Sequence, residues 1–385
     1  MLHRYLSAGG KVKVTQRQAY FGVKSVFLGF FSILAIIASF HLLSAHAAVC
    51  PNTAPKVLED STKPFGTISI SSKAVKLFIG KTIVEPFGST VHQIGFESII
   101  NPLGSKVYTK AKITKADTSN CLLSIGKLKD LALKTVEPGR LYLVFGSTIS
   151  EWDGAKDLSN AIIDAGLARQ VHHVSPNDEA KYSLLSITTD SRQLNDSVVI
   201  DIGSGKTKVS SGFINGGKKQ GLMDIQSVSL DGLTALASSA RKMGGSNFTQ
   251  SLQNSAKAFS IDLGEAIESI PSFERKIIII NGGIIWALAT YHNCDMTSRF
   301  VSVTPEMIRV FLKSTEEAKT IGNLFPSESE VANTFSIDQV KAGAVILTEI
   351  SKSFKFANKE VYFANNTPQW ELIFGFMLGN NKTGK

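Results

Sequence analysis

Only three cysteines occur in the 385 residues, at positions 50, 121 and 294. They are too few and too scattered for a metal cluster; in an oxidising compartment one pair could bridge and one would be left over. The chain has no C-x-x-C, no G-x-S-x-G and no H-E-x-x-H, so the signatures of thiol redox proteins, serine hydrolases and zincins are missing. Charged residues make up 19% against 43% hydrophobic, an ordinary globular balance that excludes disorder as the main state. Acid is wholly missing from residues 1–48, where Arg4, Lys11, Lys13, Arg17 and Lys24 stand. Those five account for most of the net charge of +9, so the basicity belongs to targeting and nucleic-acid binding is not expected.

After that basic stretch, Val26 to Leu43 is an uncharged run rich in Phe, Leu and Ile. Residues 1–48 therefore read as a signal peptide, cut near Ala47 or Ala48, or as an uncleaved membrane anchor through residues 26–43. In either case the basic end stays in the cytoplasm and the rest is exported, to the periplasm or to the outer side of the inner membrane. Residues 49–64 are polar, contain Pro51 and Pro64, show no periodicity and read as a linker.

A complete P-loop is also lacking, although "VVIDIGSGKTKV", Val198 to Val209, ends in its letters GKT. The pattern G-x-x-x-x-G-K-[ST] needs a glycine where Ile200 stands, and Lys208 to Ile214 alternates as a strand does, where a P-loop opens a helix. What is present is a buried strand carrying Asp201, a Gly-Ser-Gly bend and a second strand, a turn whose N–H groups can hold an anion. Gly66 to Gly80 repeats this strand, turn, strand device 132 residues earlier, which predicts two related halves. Between and after them a strand is expected at Leu141–Phe145, a helix at Ala155–Ala165, a fully buried strand at Lys276–Ile280, then Gly282 and Gly283 before a helix from Ile284. Asp338 to Phe354 reads as a last long apolar helix. The pattern predicts two α/β domains, residues 65–190 and 191–380, with ligand bound between them.

These residues resemble the exopolyphosphatase and guanosine-pentaphosphate phosphatase family, over about residues 65–378. Asp201 to Val209 resembles its second phosphate loop, Asp-Ile-Gly-Gly-Gly-Ser-Thr-Glu. Val174 to Lys181 resembles its segment Ile-Ser-Gly-x-x-Glu-Ala-Arg, which places Glu179 at the catalytic acid. Gly282-Gly283 resembles the third glycine loop, and Asp338 to Ala344 its Asp-x-x-x-x-Gly-Ala helix. The resemblance implies the two-domain actin-like ATPase or sugar-kinase fold, ribonuclease H-like, with an interdomain cleft. It implies a phosphohydrolase, which the leader would export, that releases terminal phosphate from polyphosphate or a nucleotide polyphosphate, with Glu179 orienting or deprotonating the water. Gly203, Ser204, Gly205, Lys206, Thr207, Gly282 and Gly283 would bind phosphate, Asp201 would help place Mg²⁺ or another divalent cation, and a second copy of the chain is a further expected partner.

Four positions depart from the family pattern. Ser69 replaces the first loop's acid, Glu151 an arginine, Lys208 the acid of Ser-Thr-Glu, and Ile284 the third loop's threonine. Two charges thus change sign, which predicts a reversed ion pair between Glu151 and Lys208 if they face each other. The alternative implied by these losses is a catalytically degenerate member that binds a polyanion or a protein partner without turnover. His172-His173 invites a metal reading, but adjacent strand residues point to opposite faces and do not chelate together.

Overall fold

The computed structural model describes residues 63–85, 88–100, 103, 112–187, 196–214, 223–243, 248–365 and 369–381. The expected leader and all but the last two residues of the linker lie outside them, as does Cys50; among the described residues no helix is long and apolar enough to cross a membrane. Cys121 and Cys294 are free thiols, so no bridge joins that pair.

Two sheets form within one unit, Leu58–Lys385. In the first half the elements are β1 (Phe65–Ile70), β2 (Ala74–Glu85), β3 (Gly88–Ile100), α1 (Lys115–Ala132), β4 (Leu141–Phe145), α2 (Ser147–Ser150), α3 (Ala155–Asp164), β5 (His172–His173) and α4 (Pro176–Ile187). The second half runs β6 (Ser197–Ile202), β7 (Lys206–Ile214), β8 (Met223–Asp231), α5 (Leu233–Lys242), α6 (Phe248–Ser269), β9 (Ile277–Asn281), α7 (Gly283–Tyr291) and β10 (Phe300–Ser302). It closes with α8 (Pro305–Glu317), α9 (Glu330–Thr334), α10 (Ile337–Ser353), β11 (Glu360–Ala364) and α11 (Trp370–Asn381).

The first sheet has the order β3-β2-β1-β4-β5 and the second β10-β11-β9-β6-β7-β8. Each is an antiparallel meander of three strands, β1-β2-β3 or β6-β7-β8, extended beside its first member by two parallel strands, and in the second sheet β10 then pairs antiparallel with β11. The repeat read from the sequence therefore holds in three dimensions. At its spacing of 132 residues, β1 falls on β6 and the first residue of β2 on that of β7.

The strands form where the chain is apolar for reasons of burial. All six residues of β1 are buried, and Ile278, Ile279 and Ile280 of β9 lie between two parallel neighbours, which is why that run does not alternate. One core gathers Ile68, Ile70, Leu77, Phe145 and Ile125 under the first sheet; a larger one gathers Ile200, Ile202, Val209, Ile280, Phe311 and Leu347. Each such side chain contributes about 1.5–3 kcal/mol by leaving water. Helix starts follow their caps: Thr114 with Asp117 and Ser336 with Gln339 form capping boxes, and Thr304 caps α8 ahead of Pro305.

Three strands and one helix go beyond the sequence reading. β3 carries exposed Ile94, Phe96 and Ile100, so its pattern is not the usual apolar-in alternation, and β10 and β11 have only three and five residues. α11 is apolar on nearly every side and has no helical period to read. It returns to the first half, packing on β1, β2, β4 and α4, so the last helix of the chain is part of the first sheet's surroundings.

Candidate active site

The carboxyl ends of β1 and β6 lead into the two equivalent turns, and these meet. Ser72 Oγ lies 3.0 Å from Ser204 Oγ, its counterpart 132 residues on. Around this contact opens a cleft of about 1190 Å³, lined by residues of both halves. Lys73 crosses it, donating to Gln339 Oε1 of α10 at 3.0 Å with its ammonium 4.5 Å from the centre of the Phe335 ring. Burial, and then Lys76, lower its pKa to about 8. Gly205 has to be glycine here, because a Cβ would lie 2.5 Å from Thr148 Oγ1 of α2.

At the cleft's floor three of the expected residues come together. Lys208 Nζ donates to Glu179 Oε1 at 2.7 Å and to Asp201 Oδ2 at 3.3 Å, while the other oxygen of Glu179 accepts from the Ser147 N–H at 2.9 Å. Asp201 and Lys208 are direct cross-strand partners on β6 and β7, and α4 delivers Glu179 from its first turn. Burial alone would push Glu179 up, yet the Lys208 charge and hydrogen bonds from Lys208 and Ser147 outweigh it and hold the carboxyl below its usual range. Burial likewise disfavours the Lys208 ammonium, but Glu179 and then Asp201 hold its pKa above that of an ordinary lysine. The two acids thus favour the charged form of Lys208.

This geometry bears on the expected metal. An ammonium already stands between Asp201 and Glu179, where a divalent ion would need those oxygens, and a lysine charge at that point repels a second cation. Among the described residues no three His, Cys, Asp or Glu side chains converge on another metal position. The residues present do not fit Mg²⁺. The expected pairing of Glu151 with Lys208 is also replaced: Glu151 Oε2 lies 3.6 Å from Lys206 Nζ, and Lys208 belongs to the two floor acids.

The remaining expected residues divide. In the second turn the Gly203 N–H is spent on the Lys206 carbonyl at 2.9 Å, whereas the N–H groups of Ser204 and Gly205 have no partner among the described residues. Thr207 leaves the site, because strand alternation puts Lys206 and Lys208 toward the cleft and buries Thr207 on the other face. Gly282 and Gly283 line the cleft; Gly282 has φ 113°, and a Cβ there would meet the Ile202 carbonyl oxygen at 2.2 Å. Ile284 turns into the core against Gly343 of α10. The histidines separate as strand geometry requires, His173 toward Ser159 and Phe145, His172 toward Phe374.

One acid at the floor was not expected. Glu371, on the first turn of α11, is buried and accepts from Ser69 Oγ at 3.2 Å through Oε1, while its Oε2 has no partner. Burial pushes this carboxyl up to about 7, with Lys76 drawing it down and Glu179 pushing it further up. The available signal was a lone acid in the apolar run Trp370-Glu371-Leu372-Ile373-Phe374, the same oddity that marks Asp201 behind Val198-Val199-Ile200.

No protein-family profile matches the chain, and no curated protein matches by sequence. Solved structures do match by shape. A Ppx/GppA phosphatase from Aquifex aeolicus is 18% identical with TM-score 0.57, covering 82% of this chain and 99% of its own. An exopolyphosphatase from Cytophaga hutchinsonii is 15% identical with TM-score 0.62, over 83% and 98%. A further exopolyphosphatase-like protein is 15% identical with TM-score 0.62, over 84% and 100%. The paired α/β sheets around a cleft, joined by equivalent turns, are thus the actin-like fold that these solved structures share.

Proposed function

We propose that this protein is an exported phosphohydrolase of the exopolyphosphatase and guanosine-pentaphosphate phosphatase family. It would release terminal phosphate from polyphosphate or a nucleotide polyphosphate. The observation that carries this is the cleft floor, where both turns, the Ser204 and Gly205 amides, three lysines and two buried acids converge. Phosphoryl transfer asks for positioning and charge neutralisation more than covalent chemistry. Lys73, Lys206 and Lys208 supply the positive charge, so in this reading no step runs through a divalent cation. An anion entering between the turns exchanges the Ser72 and Ser204 contact for its own oxygens. Glu179, shared between Lys208 and the Ser147 amide, orients the attacking water. Export rests on the basic segment and the apolar run that follows it, with the folded part in the periplasm or held by the inner membrane.

A second reading is binding of a polyanion without turnover. Lys208 favours it, since it engages Glu179 and Asp201, the two acids that the family resemblance assigns to the water and to the metal. Phosphate release and polyphosphate binding by the full-length protein, with Mg²⁺ and with a chelator, separate the two. Release that survives the chelator and falls in Glu179→Gln supports the hydrolase. Binding with no release under any metal selects the second reading, and release that depends on added Mg²⁺ rejects Lys208 as the resident cation.

A further inference from the structure

Each hairpin has an identical lysine at its foot. Lys76 pairs across β2 with Ser69, as Lys208 pairs across β7 with Asp201, and the two pairs are repeat counterparts. The second hairpin thus carries its own acid. In the first, the position holds only a hydroxyl, and that hydroxyl is hydrogen-bonded to Glu371, 302 residues along the chain. We propose that Glu371 is the catalytic residue that accepts the proton of the attacking water, a role that rests on the hydrolase reading above.

Glu371 lines the same cleft as Ser69, Ser147 and Glu179, is only 4% exposed, and keeps one carboxyl oxygen without a hydrogen bond. A carboxylate with a vacant acceptor is free to take a proton, whereas Glu179 has a donor on each oxygen. The two acids are also driven apart in acidity: Glu179 is held down by Lys208, and burial brings Glu371 to about 7, near the pH at which a general base works best. Of the elements packed on α11, β2 carries Lys76 and, farther along, Lys81, and α4 contributes Glu179, with Asp178, Lys181 and Tyr182 also on that helix. β1 has the Ser69 hydroxyl, β4 the Tyr142 phenol, and β3 His92 and Glu97.

In the step itself, the water oxygen bonds to the terminal phosphorus as the bond from that phosphorus to its bridging oxygen breaks. The electron pair leaves with the bridging oxygen on the shortened chain. Glu371 takes one water proton and later returns it to solvent.

The test is the pH–rate profile of phosphate release by full-length protein, wild type beside Glu371→Gln, Glu371→Asp, Ser69→Ala and Glu179→Gln, each with a thermal melt to verify folding. Glu371→Gln should lower kcat by about 100-fold or more with KM nearly unchanged, and the limb near pH 7 should vanish from its residual rate. Glu371→Asp should restore part of the rate with a displaced limb. Ser69→Ala, which removes a hydrogen bond favouring the carboxylate, should move the limb to higher pH. Active wild type with a folded Glu371→Gln within a few-fold of it, or with the limb intact, overturns the role of Glu371 and leaves the hydrolase reading standing. Wild type that releases no phosphate overturns both.

Discussion

The two hairpins under the cleft are one device built twice, and they balance charge differently. In the second, Lys208 lies beside Asp201 on the neighbouring strand and reaches Glu179, so a buried cation is held by two anions close by. In the first, Lys76 lies beside Ser69, and the acid is Glu371, hydrogen-bonded to Ser69 and brought in by the last helix. One site is a fixed ion cluster; the other holds an acid that can change its charge near neutral pH. Identical strand geometry therefore does not fix the electrostatics, which are set by whether the counter-charge comes from the hairpin or from elsewhere in the chain.

The sharpest way to break this contrast is to remove each lysine. Lys208→Met leaves two anions buried without their cation and is expected to cost about 3–5 kcal/mol, read from the midpoint of urea unfolding. Adding Glu179→Gln should recover part of that loss. Lys76→Met is expected to cost less than about 1 kcal/mol, because Glu371 can remain protonated without it. Equal losses in the two hairpins would end the distinction.

An intermediate effect is expected from pH. Glu371 has a folded pKa near 7, above its ordinary 4.5, so its contribution to stability is fully present below about 4.5 and is lost as pH rises through about 7. Glu179 has the opposite sign: its pKa is lowered, its contribution is present above the ordinary 4.5, and it is lost as pH falls through the lower folded value. Unfolding midpoints between pH 4.5 and 8 should show a decline in wild type that is reduced in Glu371→Gln, and a decline of unchanged size in that variant would reject the assignment.

The smallest effect belongs to the outer pair. Lys206 and Glu151 are partly exposed at 3.6 Å, and a double-mutant cycle with Lys206→Met and Glu151→Gln should give a coupling below about 1 kcal/mol. A larger value would mean that this pair, beside the Ser72 and Ser204 contact, ties the second turn to the end of α2 in the first half.

Much of this was legible in local sequence. The strand, turn, strand device around Asp201 and its copy around Ser69 are short-range patterns, and so is the buried isoleucine run of β9. Glu179, Asp201 and Lys208 are marked by the resemblance of their segments to the phosphatase family's motifs, and Asp201 also by its place at the end of a buried strand. Their partnership is not. A Glu151 and Lys208 pair was an equally consistent reading of the same letters, and only the path of α4 across β7 brought Glu179 to Lys208 instead. Thr207 faces away from the cleft because strand alternation resumes directly after the turn, which a turn motif does not record.

The sequence by itself determined the repeated hairpin, the two-sheet α/β architecture and the positions of the charged residues along it. These follow from periodicity, glycine geometry and burial, which act over a few residues. Tertiary structure alone decided that an ammonium fills the place between two acids, and that Glu371 stands beside Ser69. Such contacts join residues separated by 29 and 302 positions, and no local preference records which distant charges will share a buried floor.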